Sequence, residues 1–293
     1  MKYLVFGYIG FDNFGDELIA EVLVQKLKKI NAERITLISS NPQKTAKLHN
    51  TDSCSMFDFF KHIKQSDILV SGGGSLFQDI TSLKSLIYYL TVIFTALALK
   101  KEVHLYAQGI GPINTRIGQI LTKFILKRVN KITVRDKNSQ KLLSNWNIES
   151  ELVKDPVLEL ELSKNNNTGI LGVQLRKFNG VDNLFLEKLA DNIKENFYNK
   201  KIQIISLQDS IDLDVCNRFA KILENKDIKD VEVLSGLDMN SVIKIISKLE
   251  YLIAMRFHAN VIGIKSGVKT IAINYDPKVK SLAEEYNISL IEL

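Results

Sequence analysis

Short apolar runs, each long enough for a buried strand, alternate with helix-patterned segments along almost the whole chain. This alternation constrains the fold more than any other feature. Parallel strands need a long crossover between them, and repeated β-then-α segments therefore build a parallel sheet with helices on its faces. In the first half the spacing predicts strands over Lys2 to Phe6, Arg34 to Ile38, Asp67 to Val70, Lys101 to Ala107, Lys131 to Val134 and Glu151 to Val153. Helices are expected from Glu17 toward Lys29, with Asp16 as the N-cap, and over Phe57 to Lys64, Leu83 to Leu99, Ile117 to Val129 and Ser139 to Trp146, while Pro42 reads as a turn. Periodicity then stops in the asparagine-rich stretch Ser163 to Thr168 and restarts at Gly169. The expectation is an α/β chain of two Rossmann-type parallel-sheet domains, 1–162 and 169–293, joined by a linker over 163–168 and facing a central cleft.

Composition narrows the partners. The formal net charge is +6 and the pI about 9.0, which suits small anions, an anionic membrane surface or nucleic acid. No concentrated Lys/Arg block exists, which argues against nucleic acid. Two distant cysteines, Cys54 and Cys216, make no disulfide framework and fit a reducing cytoplasm. The N-terminus runs straight into a strand pattern with no signal-peptide core. The long uncharged run from Leu86 to Leu99 is too short to span a bilayer and is expected as a buried or interfacial helix.

Candidate chemistry gathers at strand ends. The apolar run Tyr251 to Met255 stops at Arg256 and His258, just before a small-residue helix pattern from Ala259 to Lys265. The next run, Thr270 to Ile273, ends in Asn274-Tyr275-Asp276-Pro277-Lys278. The carboxyl ends of parallel strands, beside helix N-termini that favour anions, are where open α/β sheets bind ligands. Arg135 and Arg176 also end predicted strands. Each cation taken singly is equally a surface charge. Together they suit a small donor with more than one negative charge. The triple glycine in Gly72-Gly73-Gly74-Ser75 is either an anion-binding nest or a tight turn. Asp12, Asn13 and Asp16 offer acceptors for sugar hydroxyls, or turn and cap chemistry. The four histidines are scattered, and no spacing resembles a metal site.

A resemblance enters with the motifs taken in order. Gly7-Tyr8-Ile9-Gly10-Phe11-Asp12-Asn13-Phe14-Gly15-Asp16, Gly72-Gly73-Gly74-Ser75-Leu76-Phe77-Gln78-Asp79, Gln108-Gly109-Ile110-Gly111-Pro112, Arg135-Asp136, Asp155-Pro156, Arg256-Phe257-His258-Ala259 and Asp276-Pro277-Lys278 follow one another. This set resembles the polysaccharide pyruvyl transferase family, CsaB type. The resemblance implies a GT-B-like fold and transfer of a pyruvyl group from phosphoenolpyruvate to a sugar, with phosphate released and no cofactor. It implies donor-binding roles for Arg135, Arg256 and Lys278, an acid/base role for His258, and substrate contacts that include Gln108. It also implies an acceptor such as an N-acetylmannosamine-containing oligosaccharide, lipid-linked in some members, which leaves peripheral contact with the inner membrane face open. Further helices after the Asp-Pro-Lys motif would be expected to return to the first domain, so with Leu293 as the last residue a shortened second domain is anticipated. A GT-B glycosyltransferase using a nucleotide sugar is the rival reading, and a non-catalytic binder of sugar polymer or membrane is the third.

Overall fold

The computed structural model describes residues 1–160, 162 and 168–293. The chain divides into two compact units, Met1–Glu159 and Leu160–Leu293. Of the anticipated linker, all but Thr168 lies outside the described residues.

The first unit runs β1 (Lys2–Phe6), α1 (Phe14–Lys29), β2 (Arg34–Ser39), α2 (Pro42–His49), β3 (Asp52–Ser55), α3 (Phe59–Gln65), β4 (Ile68–Ser71), β5 (Gly74–Phe77), α4 (Leu83–Ala98), β6 (Glu102–Ile110), α5 (Arg116–Leu126), β7 (Lys131–Val134), α6 (Lys137–Asn145) and β8 (Glu151–Leu152), then a 3₁₀ turn at Pro156–Glu159. Its eight-stranded sheet has the order β3-β2-β1-β4-β6-β7-β8, with β5 paired to β6. The second unit runs β9 (Leu171–Gln174), α7 (Asn183–Phe197), β10 (Ile202–Ile205), α8 (Asp209–Asn225), β11 (Val231–Leu234), α9 (Met239–Ile246), β12 (Tyr251–Ala254), α10 (Phe257–Lys265), β13 (Lys269–Asn274), α11 (Pro277–Tyr286) and β14 (Ser289–Glu292). Its six strands lie in the order β11-β10-β9-β12-β13-β14. Both sheets pair in parallel throughout.

The strands read as unbroken apolar runs because helices cover both faces. All of β4 and β9 is buried, as is β1 after Lys2. In each sheet the order reverses at the middle. From β1 the chain moves outward through β2 to β3, then returns to β4 on the other side. From β9 it moves through β10 to β11, then returns to β12. The crevice at such a reversal lies outside the carboxyl ends of the two strands.

Several local expectations are corrected. Helix α1 starts earlier than Glu17, and Asn13, not Asp16, caps it: Asn13 Oδ1 accepts from the Gly15 N–H at 3.1 Å. Asp16 sits inside the first turn, where its charge complements the helix dipole. Pro42 does not end in a turn but opens α2, capped by Asn41, because a first-turn proline sacrifices no helical hydrogen bond. The triple glycine does not lead directly into a helix: Gly74 already belongs to β5, and α4 begins only at Leu83. The Asp-Pro-Lys motif opens α11, with Asp276 as its N-cap, and β14 pairs with β13 at the edge of the second sheet.

One buried polar cluster braces the loop after β1. Glu17 Oε1 accepts from the Gly10 N–H at 2.7 Å, and its Oε2 meets His49 Nε2 at 3.0 Å. Glu21 meets His49 Nδ1 at 2.7 Å. Burial works against a charged His49, yet the bonds to Glu17 and Glu21 outweigh it and raise its pKa to about 8. Burial likewise works against Glu21 ionisation, but the hydrogen bonds from His49 and Gln25 hold its carboxyl below the ordinary value. A folded-state pKa raised from 6.5 to about 8 makes the His49 contribution complete below pH 6.5 and lost as pH rises through 8. Chemical denaturation from pH 6 to pH 9 should therefore show stability falling by about 2 kcal/mol. In a His49→Gln variant that fall should vanish; a variant with the same slope would mean another group carries it.

Candidate active site

In the first unit, the crevice residues come from the loops after β1, β4, β6 and β7. The Gly72 N–H donates to the Phe6 carbonyl at 2.7 Å, which draws the loops after β1 and β4 together. Gly73 has φ +89°, and a Cβ there would lie 2.5 Å from Ile19 Cγ2. A Cβ on Gly74 would lie 2.8 Å from Asp16 Oδ1. Glycine is thus required here by α1 itself, and Asp16 stands beside the glycine backbone. Gly72, Gly73 and Gly74 are buried, while Ser75 is exposed. The Ser75 hydroxyl accepts from Arg135 Nη2 at 3.1 Å, and Arg135 Nη1 donates to Asp155 Oδ2 at 2.7 Å. Gln108 is wholly buried and donates to Ser71 Oγ at 2.5 Å, so it ties β6 to β4 beneath this edge. Asp12 pairs with Lys44 at 2.6 Å on the surface. Tyr8 and Phe11, half-buried, stack in the same loop with ring centroids 4.3 Å apart. Burial and the nearby Asp16 charge push the Tyr8 hydroxyl above its ordinary pKa.

In the second unit, β9 and β12 deliver the cluster. The Gln174 carboxamide oxygen accepts from the Arg256 N–H at 2.8 Å, and the Arg176 N–H lies 3.3 Å from Met255 Sδ. Arg256 takes the N-cap position of α10, so His258 falls in its first turn. The Arg256 guanidinium is held in a fork: Nε donates to Asp212 Oδ2 at 2.9 Å and Nη2 to Asp212 Oδ1 at 3.0 Å, with Gln208 Oε1 at 3.2 Å. Asp212 has no solvent exposure. Burial pushes its carboxyl above the ordinary pKa, while the Arg256 and Arg176 charges pull it down. Arg176 lies over the Tyr275 ring, 5.7 Å from its centroid, and His258 meets the Phe257 ring edge-on at 5.3 Å. Lys278 is exposed in the first turn of α11, which Asp276 caps. The structure thus gathers Arg176, Arg256 and His258 at one strand edge, with Lys278 entering from the next. It gathers Asp16, Gly72 to Ser75 and Arg135 at the edge of the other unit. Buried Cys54 and Cys216 are both pushed up to about 12 and take no nucleophilic part near neutral pH.

The model of the family "Polysaccharide pyruvyl transferase" matches residues 13–277. The chain belongs to the polysaccharide pyruvyl transferase family. No curated protein sequence matches it. Solved structures share its fold at low identity. UDP-GlcNAc 2-epimerase from Methanocaldococcus jannaschii has a TM-score of 0.64 at 13% identity, covering 100% of this chain and 89% of that one. A glycosyltransferase from Rickettsia africae has a TM-score of 0.63 at 12% identity, covering 100% and 84%. UDP-GlcNAc 2-epimerase from Neisseria meningitidis, solved with UDP-GlcNAc bound, has a TM-score of 0.58 at 12% identity, covering 96% and 85%. These likenesses place the family member's two parallel-sheet domains in the GT-B class.

In this pyruvyl transferase the partners of the arginines escaped the sequence reading. Asp212 carried a usable signal, because it occupies the buried-face register of α8 with Val215, Cys216, Phe219 and Leu223. A carboxylate at a core position implies a buried cation. Asp155 stood in a quoted motif without a role, and Gln174 sits in an otherwise apolar strand. The stacked pair Tyr8 and Phe11 had no pattern that marked it. Asp212→Ala would leave the Arg256 guanidinium, whose side chain is 11% exposed, without its counter-charge. Such a loss costs about 3–5 kcal/mol, and denaturant unfolding of the variant should show it. Gly73→Val should lose stability along with any activity, since the clash with Ile19 is internal to the fold. Full retention of the melting temperature would contradict that packing.

Proposed function

We propose that the protein moves the pyruvyl group of phosphoenolpyruvate onto two hydroxyls of a sugar as a ketal, with release of phosphate. The observation that carries this reading is the clustering of Arg176, Arg256 and His258 at the strand reversal of the second unit. Family membership supports it. Phosphoenolpyruvate bears a phosphate and a carboxylate, and forked guanidinium groups bind both geometries well. The Asp212 and Gln208 bonds use Nε and Nη2 of Arg256, so Nη1 is the edge it presents to an anion. The Nε atoms of Arg135 and Arg176 are buried without a hydrogen-bond partner among the described residues, a state that a ligand oxygen or bound water would relieve. His258 lies in the first turn of α10, where backbone N–H groups also favour an anion.

The chemistry balances without an oxidant. The methylene carbon of the donor takes a proton, which makes the neighbouring carbon electrophilic. One sugar hydroxyl bonds to that carbon and loses its proton. The carbon–oxygen bond to phosphate breaks, and a second hydroxyl closes the ketal and gives up its proton. One proton is thus retained on the new methyl group and one leaves with phosphate or a base. His258 is assigned the proton traffic, since an imidazole can both donate and accept a proton. Arg256, Arg176 and Lys278 are assigned to the departing phosphate, and Arg135 is assigned to donor binding. Asp12, Asn13, Asp16 and the Gly72–Ser75 loop are assigned to the acceptor, with Tyr8 and Phe11 as a flat apolar surface for a sugar ring. The finer assignment is a CsaB-type enzyme acting on an N-acetylmannosamine-containing, lipid-linked acceptor in the cytoplasm, and its support is the motif set alone. A nucleotide-sugar glycosyltransferase is the alternative, and it rests on fold likeness, which does not fix function.

Incubation with phosphoenolpyruvate and synthetic acceptors should release phosphate and yield a product heavier by one pyruvate ketal in mass spectrometry. A thermal shift with UDP but none with phosphoenolpyruvate would select the glycosyltransferase. Arg256→Ala, which also strips buried Asp212 of its counter-charge and so lowers stability, should in its folded form weaken phosphoenolpyruvate binding by about one to two powers of ten. His258→Ala should leave donor binding nearly unchanged and lower turnover by roughly 10²–10⁴. Folded His258→Ala enzyme turning over at the wild-type rate would remove His258 from the chemistry.

A further inference from the structure

We infer that the outer face of α4 and α5 in the first unit docks onto an anionic lipid surface. Helix α4 carries one charged side chain, Lys84, and turns Ile87, Thr91, Phe94 and Ala98 to solvent along one line. Helix α5 does the same with Ile117, Ile120 and Phe124. Phe94 is 52% exposed, Ile117 62%, Ile120 58% and Phe124 49%. An amphipathic helix on a solvated sheet shows the reverse pattern, with charge outward. The two stripes lie on helices in contact: Gly118 of α5 sits so near Leu86 of α4 that a Cβ would come within 3.2 Å of it. Exposed apolar surface on adjacent elements marks an interaction site.

Charge selects the occupant. Neither helix holds an acidic residue. Lys84, Arg116, Lys123, Lys127 and Arg128 flank the stripes, and from residue 79 to 131 the two acidic residues are Glu102 and Asp79, the latter accepting from the Asn114 and Thr115 N–H groups at the start of α5. An isologous pairing with a second copy would set these positive rims against each other. An anionic bilayer offers hydrocarbon for the aromatic and aliphatic side chains and headgroup charge for the rim. Among the described residues no helix is long and apolar enough to cross a membrane, so contact here is in the interfacial plane. This inference is independent of the donor chemistry, and its test needs no substrate.

The experiment is co-sedimentation of the full chain with vesicles of phosphatidylcholine alone or of equal parts phosphatidylglycerol and phosphatidylcholine. Binding is expected to the mixed vesicles, weakening as salt is raised. Lys127→Gln should lower the partition coefficient about fivefold, the value of one basic residue near an anionic surface. Ile120→Asp should abolish binding while the melting temperature holds, since Ile120 is exposed. No sedimentation with either vesicle overturns the inference, as does equal binding to neutral vesicles. A concentration-dependent dimer that Ile120→Asp dissociates would assign the face to a second copy instead.

Discussion

A guanidinium at the edge of a parallel sheet stays put only if something buried holds it. Both units meet this constraint in the same way. In the second, Asp212 grips Arg256 through a two-bond fork. In the first, Asp155, 7% exposed, pairs with Arg135, 11% exposed. Removing two charges from water costs more than their attraction readily returns, so such pairs add little net stability. What they supply is position. Each arginine is fixed with some of its donors committed and the remainder fixed in direction, which is how an anion site avoids reorganising when its ligand arrives.

The sheets determine where these arginines stand. Chain order reverses between β1 and β4 and between β9 and β12, and the loops leaving those strands have no neighbour crossover above them. Backbone contacts then narrow the edges. Gly10 lies against Ser39 to Asn41 after β2, and Gly73 against Ile19 of α1, so closely that side chains there have no room. The glycines serve the packing first, and exposure at the edge begins with Ser75. In the second unit, Gln174 performs the same office from inside a strand, binding the Arg256 backbone and thereby fixing where α10 begins.

Most of the architecture was legible because period and polarity encode it. Strand and helix alternation gave the parallel sheets, and cations following apolar runs marked the strand ends. What escaped detection depends on distance in sequence. Asp212 and Arg256 lie 44 residues apart, and Arg135 and Ser75 lie 60 apart, so local periodicity says nothing of their pairing. Asp16 and Asn13 show a different limit. Either could cap a helix by type, and only backbone geometry, with Asn13 extended at ψ 107°, decides between them. The strand β5 was hidden because a glycine-led segment has weak strand propensity and pairs only along the far end of β6.

The two edges differ in how they are held, and the difference has a chemical consequence. Arg256, whose guanidinium keeps its charge at any pH a protein survives, is secured by the Asp212 carboxylate, which a rise in pH leaves ionised. The loop after β1 is secured through Glu17, whose second oxygen rests on His49, a group that changes charge near pH 8. The Gly10 N–H keeps its carboxylate acceptor either way, but the buried Glu17 and Glu21 charges lose their common counter-ion when His49 deprotonates. Alkaline conditions therefore loosen the first unit's edge before the second's. The arginine cluster is anchored by a carboxylate that alkaline pH leaves charged, whereas the loop with Asp12, Asn13, Tyr8 and Phe11 depends on a proton.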